Sequence, residues 1–232
     1  EHLGGAAGIA GARLRAAGIT PVMEIVVFVD AALRTERGLS ALDVLRNNLP
    51  AIDALGCACV HLHLAAQKGT PAEHMPAIER LARDTFAVGV ALGTRHGFRF
   101  GFEHNAPMAS RAHPFVGPAV CRDMLSQLPD LWLVWDLNHT PAEDTAGFEA
   151  LIPRMSMLHV SDTPLPMTNA HLPIGLGNLD FARLMRTFAE RGFAGPAILE
   201  IGGLPMSGGY GRDSDDALID SLLRLRAAAA QQ

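Results

Sequence analysis

Short runs of β-prone apolar residues alternate with helix-length segments along the whole of this 232-residue chain. Strands that alternate with helices at this spacing are typical of parallel β-α-β units, in which each helix returns the chain to the start of the next strand. No linker rich in Gly, Ser or Pro divides the pattern, so we expect one domain that spans residues 1–232. The predicted strands are Pro21–Val29, Cys57–Leu64, Phe98–Glu103, Leu131–Asp136, Met155–Val160 and Ala197–Ile201.

This series of strand–helix units favours a β/α barrel over an open, doubly wound sheet. The dinucleotide-binding motif G-x-G-x-x-G does not follow an early strand, and the helical pattern at the start implies a further strand before it. A (β/α)8 barrel usually needs about 250 residues. We therefore predict an α/β fold of the TIM (β/α)8-barrel type, in which strand 1 and most of strand 2 are missing at the N-terminus and Glu1 ends strand 2. One later helix is predicted to begin after an N-cap at Asn178 and to end at Gly192.

One face of the predicted strands ends in ionisable residues. Side chains alternate across a strand, so the apolar face of each strand can pack on helices while the opposite face points into the barrel. The carboxyl ends of barrel strands carry the active site. We therefore expect one group of side chains to converge there: Glu103, Asp136, His159 and Glu200, with His63 beside them.

Three carboxylates at one point repel each other, and a divalent cation holds them ionised together. Three carboxylates with one imidazole are mostly hard donors, which suit Mn²⁺, Mg²⁺ or Co²⁺ and can also hold Zn²⁺. We interpret Glu103, Asp136, His159 and Glu200 as ligands of one divalent metal ion. The structural alternative is that the carboxylates are only the first solvated loop residues and that the imidazole is hydrogen-bonded in the core.

Composition excludes several classes of protein. Apolar residues make up 49% of the chain and charged residues 19%, which excludes disorder. The formal net charge of -5 provides no basic footprint for nucleic acid. No apolar run reaches the ~20 residues that span a bilayer, no signal-peptide pattern is present, and three cysteines do not suggest a disulfide framework. We expect a cytoplasmic enzyme without nucleic-acid or membrane partners, and leave a homo-oligomer open.

Several motifs resemble those of the xylose-isomerase-like TIM-barrel superfamily, which includes sugar phosphate isomerases and epimerases, dehydratases and the AP endonuclease family 2. The resemblance runs from about Pro21 to Ile201. The motifs are FGFEHN at Phe100–Asn105, WDLNH at Trp135–His139, LHVSD at Leu158–Asp162, HLPIGLG at His171–Gly177 and ILE at Ile198–Glu200. The resemblance implies that the four predicted ligands bind the catalytic metal. It also implies that His139 and His171 lie on the substrate side.

The resemblance implies a small, sugar-like carbonyl compound as substrate. We expect an isomerase or epimerase in which the metal stabilises an enediolate. Glu103 or Glu200 would remove and return the proton, and His139 would orient a substrate oxygen. The predicted substrate-binding residues are His63, His139, His171 and, for an anionic substrate, Lys68.

Three alternatives are kept. A dehydratase would form the same enolate and then lose a β-hydroxyl, with His171 or His63 as the acid, and product mass separates it from an isomerase. A phosphodiesterase like endonuclease IV would need additional metals and a basic groove. In that branch an Asp stands two residues before the second substrate-side histidine, where this chain has the uncharged Asn169. The last alternative is a binding or assembly module without turnover.

Overall fold

The structure, a computed structural model, describes residues 2–108, 112–202 and 214–230. Its strands form one parallel sheet in the order β1-β2-β3-β4-β5-β6, so each strand pairs with its neighbours in the chain. The strands are β1 (Val22–Val29), β2 (Cys59–Ala66), β3 (Arg99–Glu103), β4 (Trp132–Asp136), β5 (Met155–Val160) and β6 (Ala197–Leu199). The predicted strands are all present, and the predicted partial TIM-barrel fold is confirmed. The position predicted for Glu1 lies outside the described residues.

Helices connect the strands and cover the outer face of the sheet. They are α1 (His2–Ala16), α2 (Ala41–Leu55), α3 (Met75–His96), α4 (Pro118–Gln127), α5 (Thr145–Glu149), α6 (Phe181–Glu190) and α7 (Asp215–Ala229). A short 3-10 helix over Leu137–His139 directly follows β4. Across the described parts of the chain, we find no helix with the length and apolar character that a bilayer span requires.

The helix that follows β5 begins later than the sequence predicts. Asp180, not Asn178, is the N-cap of α6, because its side chain accepts a hydrogen bond from the backbone N–H of Arg183. The Asn178 side chain instead bridges a loop: its Oδ1 accepts from the N–H of Leu165 at 2.9 Å, and its Nδ2 donates to the carbonyl of the same residue at 3.1 Å. The expected cap at Asn178 is therefore wrong, since a loop contact uses its hydrogen-bonding groups.

The edge strand β1 shows both faces of the sheet clearly. Ile25, Val27 and Val29 are buried against the helices. On the opposite face, Val26 is 48% and Phe28 is 44% exposed. Among the described residues, β1 pairs with β2 alone and is therefore an edge strand of the sheet.

The contact between α3 and β3 depends on a glycine. A Cβ atom at Gly89 would overlap the ring of Phe100, which is itself 2% exposed and cannot move aside. Gly89→Ala is therefore expected to lower the free energy of unfolding by about 1–3 kcal/mol, as overpacking does in other cores, measured by urea denaturation. The matched control is Gly8→Ala in α1, where a new Cβ meets nothing within 4 Å. That change is expected to stabilise the chain through helix propensity, and equal effects at the two sites would contradict the packing argument.

Candidate metal centre

The structure brings the four predicted ligands together at the carboxyl ends of four successive strands. Glu103 and Asp136 are the last residues of β3 and β4, His159 lies in β5, and Glu200 directly follows β6. The ligand atoms of all four lie within 4.8 Å of one another. Three of the residues are buried, whereas the side chain of Glu200 is 36% exposed. The fold therefore creates a compact ring of three carboxylates and one imidazole, open to solvent at Glu200.

Each of the four residues turns one unpartnered polar atom towards this ring. The buried atoms without a hydrogen-bond partner include Glu103 Oε2, Asp136 Oδ2, His159 Nδ1 and Glu200 Oε2. His159 Nδ1 lies 3.4 Å from Glu103 Oε2 and 3.0 Å from Glu200 Oε2. Buried polar groups are normally paired, and an unpaired one indicates an ion, a water or stored strain. A divalent cation would satisfy all four atoms at once, so this donor set fits a metal ion.

Hydrogen bonds in the following loops orient Asp136. Its Oδ1 accepts from the backbone N–H of Asn138 at 2.7 Å, which leaves Oδ2 directed at the ring. The Asn138 side chain donates to Ser161 Oγ at 3.0 Å and to the carbonyl of Asp162 at 2.7 Å, and it accepts from the N–H of Ala170 at 2.6 Å. Asn138 thus ties the loop after β4 to the loop after β5.

Imidazoles surround the carboxylate of Glu103. Contacts of 3.3–3.5 Å join its oxygens to ring nitrogens of His61, His63, His139 and His159. Burial raises the pKa of Glu103, but the facing His63 and His159 outweigh that effect and hold its pKa well below the usual range. Burial alone would lower the pKa of His159, yet the neighbouring carboxylates of Glu103 and Glu200 bring it well above its usual value. Glu103 is therefore ionised at neutral pH.

Each ring nitrogen of His63 contacts a polar partner. Its Nε2 lies 3.1 Å from Asn105 Oδ1, and the Asn105 amide is fixed because Nδ2 donates to two backbone carbonyls at 2.9 and 2.8 Å. His63 must therefore donate from Nε2, while its Nδ1 lies 3.3 Å from Glu24 Oε1. Burial lowers the pKa of His63, but Glu103 and Glu24 more than reverse this and raise it to about 9.

His139 and His171 lie on the open side of the ring. The Nδ1 of His139 donates to the carbonyl of His104 at 3.1 Å, and its Nε2 lies 3.0 Å from Asp136 Oδ2. The Nδ1 of His171 lies 3.2 Å from the carbonyl of Glu200, and its Nε2 lies 2.9 Å from Asn169 Oδ1. Asn169 therefore contacts the His171 nitrogen that faces away from the backbone.

A cavity of about 370 Å³ opens beside the ring of predicted ligands. Its polar lining includes His63, Asn105, His139, His171 and Glu200, and its apolar lining includes Val26, Phe28 and Met108. Within the described part of the chain, no Lys or Arg lines it. Lys68 lines a neighbouring cavity of about 720 Å³, which shares Val26 and Phe28 with the first. A role for Lys68 in substrate binding stays a prediction, and the structure places it apart from the histidines.

Two further residues contact this centre, Glu24 and His61, and the sequence motifs point to neither of them. With Glu103 and His159 they form a further group whose ligand atoms lie within 4.8 Å of one another. Glu24 and His61 are direct partners in the β1–β2 register. The available signal was the His-x-His spacing on β2, which puts His61 and His63 on the same inner face.

Comparison with known proteins agrees with this architecture. The family model for the xylose isomerase-like TIM barrel matches residues 10–228. Among solved structures, 3-keto-D-glucoside 4-epimerase from E. coli matches with a TM-score of 0.76 and 17% identity over 98% of this chain and 86% of that chain. L-ribulose 3-epimerase matches with a TM-score of 0.70 and 16% identity over 97% and 81% of the two chains.

A further solved structure is that of the IOLI protein with a binding zinc atom. It matches with a TM-score of 0.72 and 13% identity over 97% of this chain and 82% of that chain. A search of curated proteins finds no match. The TM-scores show that these proteins share a fold with this chain, and at such low identities they show no more than that. The family model, by contrast, matches nearly all of the sequence. This chain therefore belongs to the xylose isomerase-like TIM barrel family.

Proposed function

We propose that residues 1–232 form one partial barrel domain that acts as a divalent-metal-dependent isomerase or epimerase on a small, sugar-like carbonyl substrate. The observation that carries this proposal is the set of four buried, unpartnered atoms of Glu103, Asp136, His159 and Glu200 beside an open cavity. The solved structures of two sugar epimerases with the same fold support the class of substrate. The absence of Lys and Arg from the described cavity lining favours an uncharged sugar.

The four residues would hold the ion, and Mn²⁺, Mg²⁺, Co²⁺ and Zn²⁺ all suit their donors. When bound, such an ion polarises a carbonyl group and so makes the neighbouring C–H more acidic. Glu200 is the best candidate for the base, because it lines the cavity and is the most exposed of the four. Glu103 is the second candidate, but it is buried and its pKa is held well below the usual range, which makes it a weaker base.

The histidines on the cavity wall would bind substrate hydroxyl and carbonyl oxygens. His139 is held by the His104 carbonyl, so its ring is oriented before substrate arrives. His171 is held in the same way by the carbonyl of Glu200. Substrate held between these rings and Glu200 would present one carbon to the base. Fixed geometry of this kind lowers the entropic part of the barrier.

A dehydratase is the second candidate function, and His63 favours it. Despite burial, Glu103 and Glu24 raise its pKa to about 9, and it lines the cavity. A protonated imidazole there could protonate a departing β-hydroxyl after proton removal by Glu200. An isomerase needs no such acid for a leaving group.

A phosphodiesterase is less well supported. Asn169 replaces a charged ligand at the position that the endonuclease branch uses, and its amide oxygen contacts His171 Nε2 at 2.9 Å. The net charge of -5 also disfavours binding to a polyanion.

The mass of the product and its isotopic label test the proposal together. The chain, loaded with Mn²⁺, is incubated in deuterated water with a panel of unphosphorylated ketoses and keto-glycosides. We expect a product of unchanged formula that carries one solvent deuterium on the carbon next to the carbonyl, because the base exchanges its proton with water. A product lighter by one water would establish the dehydratase instead. A product without deuterium would contradict the proton-transfer route, and cleavage of a phosphodiester alone would contradict both candidate functions.

A further inference from the structure

His61 is a buried histidine without hydrogen-bond partners. It lies in the middle of β2, points into the barrel and is 1% exposed. Neither of its ring nitrogens has a hydrogen-bond partner. The next inward-facing residue on the same strand, His63, is held by Asn105 and Glu24. A buried imidazole without a well-directed hydrogen bond is unfavourable, so a group that binds His61 is to be expected.

The neighbours of His61 are side chains of the types that bind metal ions. Its Nε2 lies 3.3 Å from Glu103 Oε2, an ion-pair contact that leaves both atoms without a well-directed hydrogen bond. Its ring meets that of His159 edge to face, with centroids 5.0 Å apart. Its register partners are Glu24 on β1 and Gly101 on β3, and the glycine contributes no side chain. Ligand atoms of Glu24, His61, Glu103 and His159 all lie within 4.8 Å of one another.

We propose that Glu24, His61, Glu103 and His159 form a second position for a divalent metal ion, here named the inner position. The outer position is the set Glu103, Asp136, His159 and Glu200. The two positions share Glu103 and His159. The inference rests on the proposed function only because that function also uses these two residues as ligands. His159 turns a single nitrogen, Nδ1, towards the carboxylates of Glu103 and Glu200, and one lone pair binds one ion at a time. The two positions are therefore alternatives.

The two positions differ in the softness of their donors. The inner position has two imidazoles and two carboxylates, whereas the outer position has one imidazole and three carboxylates. Zn²⁺ is borderline-soft, accepts four nitrogen and oxygen ligands and binds imidazole well. Mn²⁺ and Mg²⁺ prefer carboxylate oxygens. Zn²⁺ therefore occupies the inner position and Mn²⁺ the outer one.

This selectivity has a consequence for the outer position. An ion at the inner position uses Glu103 and His159, which leaves Asp136 and Glu200 as the only unshared ligands outside. Zn²⁺ at the inner position and Mn²⁺ at the outer position then compete for the two shared ligands, Glu103 and His159. Zinc is expected to displace manganese from the outer position, although His61 does not belong to that position.

Metal affinities of His61→Leu test the inference without any activity measurement. Leucine has a similar volume and removes both unpartnered nitrogens, so the fold is expected to persist. The dissociation constants of Zn²⁺ and Mn²⁺ are measured by competition with a chromophoric chelator. We expect a loss of Zn²⁺ affinity of at least about 100-fold, since even partners that only support a ligand are worth 10–100-fold. The Mn²⁺ affinity is expected to change less than about threefold.

Cys59→Ala is the matched control, because Cys59 lies on the same face of β2, two residues deeper, and is also buried. It is expected to leave both affinities unchanged. His61→Gln provides a second variant if the leucine variant does not fold, and its Zn²⁺ affinity is expected to fall as well. Unchanged Zn²⁺ affinity in a folded variant of either kind overturns the inference, as does a wild-type chain that binds Mn²⁺ but no Zn²⁺.

Asp136→Ala separates this inference from the proposed function. It is expected to reduce Mn²⁺ affinity and to leave Zn²⁺ affinity close to that of the wild type. If Asp136→Ala changes neither affinity while His61→Leu abolishes both, the outer position and the proposed metal-dependent function fail. If Asp136→Ala removes Mn²⁺ and His61→Leu changes nothing, only the inner position fails.

Discussion

Replacement of Glu200 by glutamine is expected to lower kcat by about 10²–10⁴-fold, the usual contribution of a positioned base. The amide keeps the shape of the side chain and an oxygen towards the ring, but it cannot take up the substrate proton. Glu200 is singled out because it borders the cavity and is partly exposed, while Glu103 is 1% exposed. The measurement is steady-state kinetics at saturating Mn²⁺, with solvent deuterium exchange as a second readout.

Glu149→Gln is the matched control for Glu200. Glu149 forms an ion pair with Arg183 at the end of α5 and does not line the cavity, so this change is expected to leave kcat within about a factor of two, far less than the loss of a positioned base. KM of the Glu200 variant is expected to change little, because in the proposed function the histidines of the cavity wall would provide most of the substrate contacts. Solvent exchange at the wild-type rate in the Glu200 variant would instead identify Glu103 as the base.

Loss of the metal ion is the expected result of Asp136→Ala. The Mn²⁺ affinity is expected to fall by at least about 100-fold, beyond the 10–100-fold effect of groups that only support a ligand. The reason is that Asp136 Oδ2 is buried and faces the other three predicted ligands, while its 3.0 Å contact with His139 Nε2 leaves it without a well-directed hydrogen bond. Asp136→Asn keeps an acceptor for the N–H of Asn138 and is expected to lose the metal too, which separates loss of charge from damage to the loop. The measurement is metal content after dialysis, with circular dichroism to confirm the fold.

A second buried aspartate provides the control. Asp162 is 1% exposed, but its two oxygens accept from the backbone N–H groups of Thr163 and Gly175 at 2.9 and 2.8 Å. Asp162→Asn is expected to lower the free energy of unfolding by about 1–3 kcal/mol through a lost acceptor and to leave metal content unchanged. Equal loss of metal in both variants would mean that disturbance of the loops, rather than ligation by Asp136, explains the effect.

The strands and the convergence of the four predicted ligands could be predicted because both depend on local pattern. Apolar runs bounded by helix signals define the strands, and alternation along each strand separates Glu103 and Asp136 from the residues that pack on helices. Parallel order then places all strand ends at one mouth. Since each of the four predicted ligands lies at or near a strand end, its position in the sequence nearly determines its position in space.

The parts that could not be predicted depend on register and on competition for hydrogen bonds. Alternation shows that His61 faces inward, but only the pairing of β1, β2 and β3 shows that it meets Glu24 and Glu103. As residue types, Asn178 and Asp180 are equally good N-caps. The Asn178 side chain, however, forms hydrogen bonds with the backbone of Leu165, 13 residues earlier in the chain. Sequence spacing carries no information about such long-range partners.

Asn138 holds one side of the barrel mouth more firmly than the other side is held. On one side, this single amide links the loop of Asp136 to the loop that leads to His171, so the ordering of both loops is complete once the chain has folded. On the other side, Glu200 follows the short edge strand β6 and is partly exposed. Entry of an ion therefore requires almost no loss of conformational entropy from Asp136, and most of that loss falls on Glu200. The carboxylate best placed to act as the base is thus also the one that retains the freedom to adjust as substrate arrives and leaves.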